Sequence, residues 1–283
     1  MRNIRTEITS PPPKECVVFF NITKGGSGVE LNKIYNEDCL EGMKRIPDGS
    51  VDMILCDLPY GTTACKWDTI IPFEPLWEQY KRVIKDNGAI VLTASQPFTS
   101  ALVMSNPNMF KHEWIWQKTS ASNFMSMKYQ PAKKHENILV FCKKSPTYNP
   151  IKDVAEKKSS SNKGKEASSD VYGTNFDSKR TYKDTGLRYP SSVRLFSNQS
   201  GELNNINRLH PTQKPVALFE YLIKTYTNEG ETVLDNCMGS GTTAIASMRT
   251  GRNYIGFELD EEYYKVAQKR IIDENNHLES QSL

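Results

Sequence analysis

Short apolar runs of β-favouring residues alternate with stretches of helical spacing from Lys33 onward, and that alternation points to βα units around a mostly parallel sheet. The spacing predicts strands over 51–56, 88–93, 113–117, 137–142, 231–235 and 253–258. It predicts helices over 39–46, 74–86, 97–105, 215–228, 241–250 and 260–275. Each β run is compact and apolar, as a strand covered on both faces should be. Asp260 suits the cap of the last helix, and Tyr263, Tyr264, Ala267 and Ile271 recur on one of its faces, so those tyrosines are read as structural.

Two segments break the pattern. Residues 1–30 hold Pro11-Pro12-Pro13 and Gly25-Gly26-Ser27-Gly28, a composition that suits an N-terminal arm. Residues 150–205 are polar, with little apolar periodicity before Val193-Arg194-Leu195-Phe196, and are expected to be an insertion on the sheet scaffold. The remaining units are 31–149, 206–275 and a C-terminal tail, 276–283.

The chain has 283 residues and a formal net charge of +3, so its total charge does not announce a polyanionic partner and the placement of charge must decide. Its six cysteines are scattered without a Cys-x-x-Cys pair, which suggests a reduced, cytoplasmic setting. The four histidines do not cluster with cysteines or carboxylates at ligand spacing, and no metal is expected. Val17-Val18-Phe19-Phe20 is too short to cross a membrane or form a signal-peptide core.

Chemistry concentrates in two strand-end loops. After Thr232-Val233-Leu234-Asp235 comes Asn236-Cys237-Met238-Gly239-Ser240-Gly241-Thr242-Thr243, whose glycines let backbone N–H groups approach a ligand at a helix start. A nucleotide-triphosphate loop would need Gly-Lys-Ser/Thr here, and Gly241 is followed by Thr242, which argues against ATP. Glu258 ends the next strand at about the ~20-residue spacing suited to gripping ribose hydroxyls. Asp235 would repel a pyrophosphate but hold a cation or amine. S-adenosylmethionine combines a sulfonium, an α-amine and a ribose diol, and fits these constraints.

The second loop, Asp57-Leu58-Pro59-Tyr60-Gly61, follows the apolar run Val51–Cys56. An exocyclic amine is a weak nucleophile, because its lone pair is delocalised into the ring, and it needs acceptors for its hydrogens. Asp57 offers a carboxylate, and the extended residue before Pro59 can offer the Leu58 carbonyl. Tyr60 offers a stacking face for a base withdrawn from a duplex. From Lys118 to Lys144, six lysines accompany the single acid Glu136, with aromatics interleaved. Lys118, Lys128, Tyr129, Lys133 and Lys134 in this stretch suit a phosphate backbone and unstacked bases.

The order of these motifs resembles the β-class, amino-directed DNA methyltransferases that use S-adenosylmethionine. Asn36-Glu37-Asp38-Cys39-Leu40, Asp57-Leu58-Pro59-Tyr60, a variable region, His210-Pro211-Thr212-Gln213-Lys214-Pro215 and the loop after Asp235 follow that class's circularly permuted arrangement, over about residues 32–275. The resemblance implies a Rossmann-like class I methyltransferase sheet with a variable target-recognition insertion at 150–205. It implies Asp57, Leu58, Pro59 and Tyr60 at the target base and Asp38 and Cys39 at the cofactor's adenine. Glu258 would meet the ribose; Asp235, Asn236, Cys237, Gly239, Ser240 and Gly241 the methionine end; Thr212 and Lys214 the methionine carboxylate. Double-stranded DNA is the implied partner, and a homodimer or a cognate restriction endonuclease are further partners that this class admits. Leu58 departs from the proline usual in adenine-directed members, whereas Asp57 matches their acid and differs from the serine common in cytosine-N4 members. N6 of adenine is therefore the expected target and N4 of cytosine the alternative.

Overall fold

In the computed structural model residues 28–63, 65, 68–155, 185–198 and 213–281 are described. The strands are β1 (Lys33–Tyr35), β2 (Val51–Asp57), β3 (Ile84–Ala94), β4 (Phe110–Lys118), β5 (His135–Phe141), β6 (Asp153–Val154), β7 (Leu187–Arg188), β8 (Val193–Phe196), β9 (Thr232–Asp235) and β10 (Asn253–Phe257). The helices are α1 (Cys39–Met43), α2 (Phe73–Val83), α3 (Phe98–Ser105), α4 (Val216–Tyr226), α5 (Thr242–Arg249) and α6 (Glu261–Gln281). All six expected strands and all six expected helices are present, with ends moved by a few residues.

Eight strands form one sheet in the order β1-β10-β9-β2-β3-β5-β4-β8, and β6 pairs with β7 apart from it. Only β5 runs against its neighbours β3 and β4; every other pairing in the sheet is parallel. From β2 the chain moves outward to β3, and from β9 it moves the other way to β10, so strand order reverses between β2 and β9. Open parallel sheets bind ligands at such a reversal, beyond the carboxyl ends of the strands. Met53 lies beside Val233 and Ile54 beside Leu234, which brings the loops after Asp57 and Asp235 to the same edge.

Strand β2 alternates between two cores. Ile54 and Cys56 pack with Leu76, Trp77, Tyr80 and Phe98 from α2 and α3, while Met53 and Leu55 pack with Leu218, Phe219, Leu222 and Ile245 from α4 and α5. Each such side chain contributes about 1.5–3 kcal/mol when fully buried, and a one-residue slip would exchange every partner. The site therefore rests on a rigid floor.

Three boundaries differ from expectation. Val29, inside the expected arm, is buried in the first core, so packing begins before Lys33. Helix α6 runs through Gln281 into the expected tail, fastened by bonds from Arg249 to both oxygens of buried Glu274, at 2.7 Å each. Strand β8, within the expected insertion, pairs in parallel with β4 and becomes the sheet edge, so this part of the segment belongs to the scaffold. Most of 150–205, and His210 and Thr212, lie outside the described residues.

Candidate active site

Both strand-end loops open on one cavity of about 760 Å³. Asp38, Cys39, Asp57, Leu58, Pro59, Tyr60, Lys118, Lys214, Asp235, Asn236, Cys237, Gly239, Ser240 and Glu258 all line it. Gly241 stands behind this wall; its φ of +86° and the approach of Ala267, 3.2 Å from where a Cβ would lie, both favour glycine.

The glycine loop is braced from within. Asp235 is almost fully buried: Oδ1 accepts from the Cys237 N–H at 3.0 Å, and Oδ2 accepts from the Thr243 hydroxyl. Burial pushes its carboxyl up to about 6, against the opposing bonds from Thr243 and Cys237. Glu258 accepts from the Gly239 N–H at 2.6 Å and the Asp260 N–H at 2.8 Å, and burial raises its pKa. Each oxygen keeps a lone-pair direction for a ligand hydroxyl. Asp38 caps α1 through bonds from the N–H groups of Leu40 and Glu41. Asn236 is fixed by the Tyr80 hydroxyl, which donates to its Oδ1 at 2.5 Å, and its Nδ2 faces the sulfurs of Cys39 and Cys237 at 3.6 and 3.5 Å.

The Asp57 loop is equally tied. Asp57 Oδ1 accepts from the Tyr60 hydroxyl at 2.8 Å and from Thr93 Oγ1, while Oδ2 accepts from Lys214 Nζ at 2.6 Å. Tyr60 stacks on Phe98, with centroids 5.2 Å apart and planes at 24°. Burial, then the Asp57 charge, raises the Tyr60 pKa well above its usual value, so the phenol stays protonated as a donor. Asp68 shapes the descending loop by accepting the N–H groups of Gly61, Thr62 and Thr63 at 2.7–2.9 Å. Leu58 is 3% exposed and belongs to the first core, which gives the leucine a packing role that a surface turn would not need.

Two lysines fall elsewhere than expected. Lys118 is only 6% exposed and pairs with Glu136 inside the cavity wall, so it does not reach outward to a phosphate. Antiparallel pairing of β4 and β5 sets Trp116 opposite Glu136, and this register brings the acid beside Lys118. Lys214 is bound to Asp57 and lies 3.4 Å from Glu136, instead of standing free for a carboxylate ligand. Desolvation opposes its charge, but Asp57 and Glu136 outweigh it and raise its pKa. The other four residues singled out in the basic stretch stay at the surface or near it. Lys134 is exposed, Lys128 lies over the 81%-exposed Tyr129 ring, and half-buried Lys133 bonds Ser95. Glu136, Tyr80, Thr93 and Asp68 were not singled out from the sequence. Glu136 carried the one available signal, as the lone acid among six lysines.

Residues 51–269, more than three quarters of the chain, match the DNA methylase family whose targets are N6 and N4 amines. The chain belongs to this family. Among its relatives, the type II methyltransferase M1.MboII of Moraxella bovis is 30% identical over 256 residues, covering 84% of this chain and 96% of that one. M.HpaI of Haemophilus parainfluenzae, also a type II methyltransferase, is 28% identical over 86% of this chain and 75% of its own length. The crystal structure of the M1.HpyAVI–SAM complex superposes with a TM-score of 0.58 at 25% identity, over 84% and 98% of the two chains. PvuII DNA methyltransferase, described as cytosine-N4-specific, shares the fold with a TM-score of 0.59 at 17% identity, over 88% and 93%.

This DNA methylase is a DNA methyltransferase, and S-adenosylmethionine is its cofactor. The donor set fits such a ligand. The walls around the glycine loop carry the carboxylates of Asp38, Asp235 and Glu258, which suit a cationic nucleoside and oppose a phosphate. Among the described residues no helix is long and apolar enough to cross a membrane.

Proposed function

We propose that this methyltransferase acts on the N6 amine of an adenine turned out of duplex DNA into the half of the cavity lined by Asp57, Leu58, Pro59 and Tyr60. The observation that carries the reading is the position of Asp57. Its carboxylate lines the same cavity as the acid-flanked glycine loop, at the strand-order reversal. In this reading Glu258 takes the ribose hydroxyls, Asp38 and Cys39 border the cofactor's adenine, and Asp235 with Asn236–Gly241 shapes the seat of the methionine end.

The cofactor supplies an electrophilic methyl on a positively charged sulfur. Asp57 holds an amine hydrogen, which orients the nitrogen lone pair along the attack direction. As the N–C bond forms and the S–C bond breaks, its electron pair staying on sulfur, the nitrogen becomes acidic and its surplus proton passes to Asp57. Tyr60, backed by Phe98, gives the base a flat wall. Lys128, Tyr129, Lys133 and Lys134 follow the backbone, and the 150–205 segment reads sequence.

Transfer of labelled methyl to duplex DNA followed by nucleoside analysis tests this reading. N6-methyladenine is expected; N4-methylcytosine would overturn the base assignment.

A further inference from the structure

The cavity holds a chain of alternating charges. Asp57, Lys214, Glu136 and Lys118 all line it, and they contribute two negative and two positive charges in that order. The ends are not equivalent. Lys118 occupies Glu136 Oε1, whereas Oε2 is buried without a hydrogen-bond partner among the described residues and faces Lys214 Nζ at 3.4 Å. Lys214 is meanwhile bonded to Asp57 Oδ2 at 2.6 Å. Since Oδ1 already accepts from Tyr60 and Thr93, both oxygens of Asp57 are engaged. Oδ1 is filled by its two bonds, so an amine entering here is left with Oδ2, whose charge the ammonium at hydrogen-bond distance already draws on.

We propose that Glu136 is a positioning residue: it receives the Lys214 ammonium when the target base enters, and so releases Asp57 Oδ2 to the base amine. A change of side-chain torsion suffices, because the second seat is within an ångström of bonding distance and is already desolvated. Lys214 never loses a carboxylate partner, so no buried charge is stranded during the exchange. The groups facing Lys214 are Asp57 from β2, the Tyr60 ring at 5.7 Å and Glu136 from β5, with Lys118 from β4 beyond Glu136. The inference rests on the reading of Asp57 as the amine's acceptor.

Glu136→Gln keeps the shape and an acceptor oxygen but removes the charge that draws Lys214 away. The expected result with the full-length enzyme and duplex DNA is a kcat lower by roughly 10-fold or more, with DNA and S-adenosylmethionine affinities within about two-fold. Glu136→Asp, which keeps the charge, should restore most of the parent kcat. A Glu136→Gln variant with unchanged kcat, or a Glu136→Asp variant no faster than Glu136→Gln, overturns the inference. So does equal loss of binding and turnover in both variants, which would mark a purely structural role. Asp57→Ala separates the two readings. If it retains turnover, the reading of Asp57 falls; if it abolishes turnover while Glu136→Gln behaves as the parent, only the Glu136 inference falls.

Discussion

Asp235 should make the fold lose stability as pH rises from about 4 to about 6, and Asp235→Asn should remove that slope. The carboxyl is 2% exposed, and burial holds its pKa near 6, whereas an unfolded aspartate titrates near about 3.9. Between these values the folded state keeps a proton that the unfolded state has given up, so unfolding becomes easier as pH increases. At about 1.36 kcal/mol per pKa unit the whole shift is worth about 3 kcal/mol, of which about 2 kcal/mol is lost between pH 4 and pH 7, because the unfolded aspartate is already about half ionised at pH 4. Asparagine has the same shape and does not titrate in this range, so the linkage of other groups largely cancels in a comparison. Urea unfolding of both proteins at several values between pH 4 and pH 7.5 gives the difference directly. The parent's stability relative to the variant should fall by about 2 kcal/mol across the series. A difference independent of pH would refute the reasoning, and would mean that the bonds from Thr243 and Cys237 offset the desolvation fully.

Other outcomes follow from single contacts. Lys214→Met strands Asp57 beside Glu136 and should cost on the order of 3 kcal/mol in chemical denaturation, with part of the loss recovered when Asp57→Asn is added. Its penalty should shrink as pH falls, because Lys214 is the leading charge holding Glu136 below the usual carboxylate range against burial. Tyr80→Phe removes the donor to buried Asn236 and should cost about 1–3 kcal/mol; calorimetric titration should show weaker S-adenosylmethionine binding. Gly42→Ala sets a helix-favouring residue against the buried Phe257 ring, where its Cβ would overlap the ring atoms. Overpacking of about 1–3 kcal/mol should outweigh the ~1 kcal/mol gain in propensity, and Tm should fall. Lys128→Ala should weaken DNA binding on all sequences alike, and reduce the slope of log affinity against log salt by about 1.

What the sequence made legible, and what it hid, divides along a physical line. Strands β2, β3, β9 and β10 are covered on both faces, so their apolar runs stand out, and the loops that follow them were found with their acids and glycines. Strand β8 was only glimpsed, since Val193 and Leu195 of this edge strand remain 45% and 62% exposed and β4 alone gives it a register. The lysines failed differently. Lys118 and Lys128 look alike as residues, yet one lies under the cavity wall and the other over an exposed tyrosine. Partner distance makes the difference: Glu136 reaches Lys118 through the β4–β5 register, and Lys214 reaches Asp57 across 157 residues. Local pattern reports which residues share a face, but not which charges share a pocket. Within the chain Asp57–Lys214–Glu136–Lys118, the position of the Lys214 ammonium is set by both carboxylates together. No single motif could therefore place Lys214, even where the motif itself was recognised.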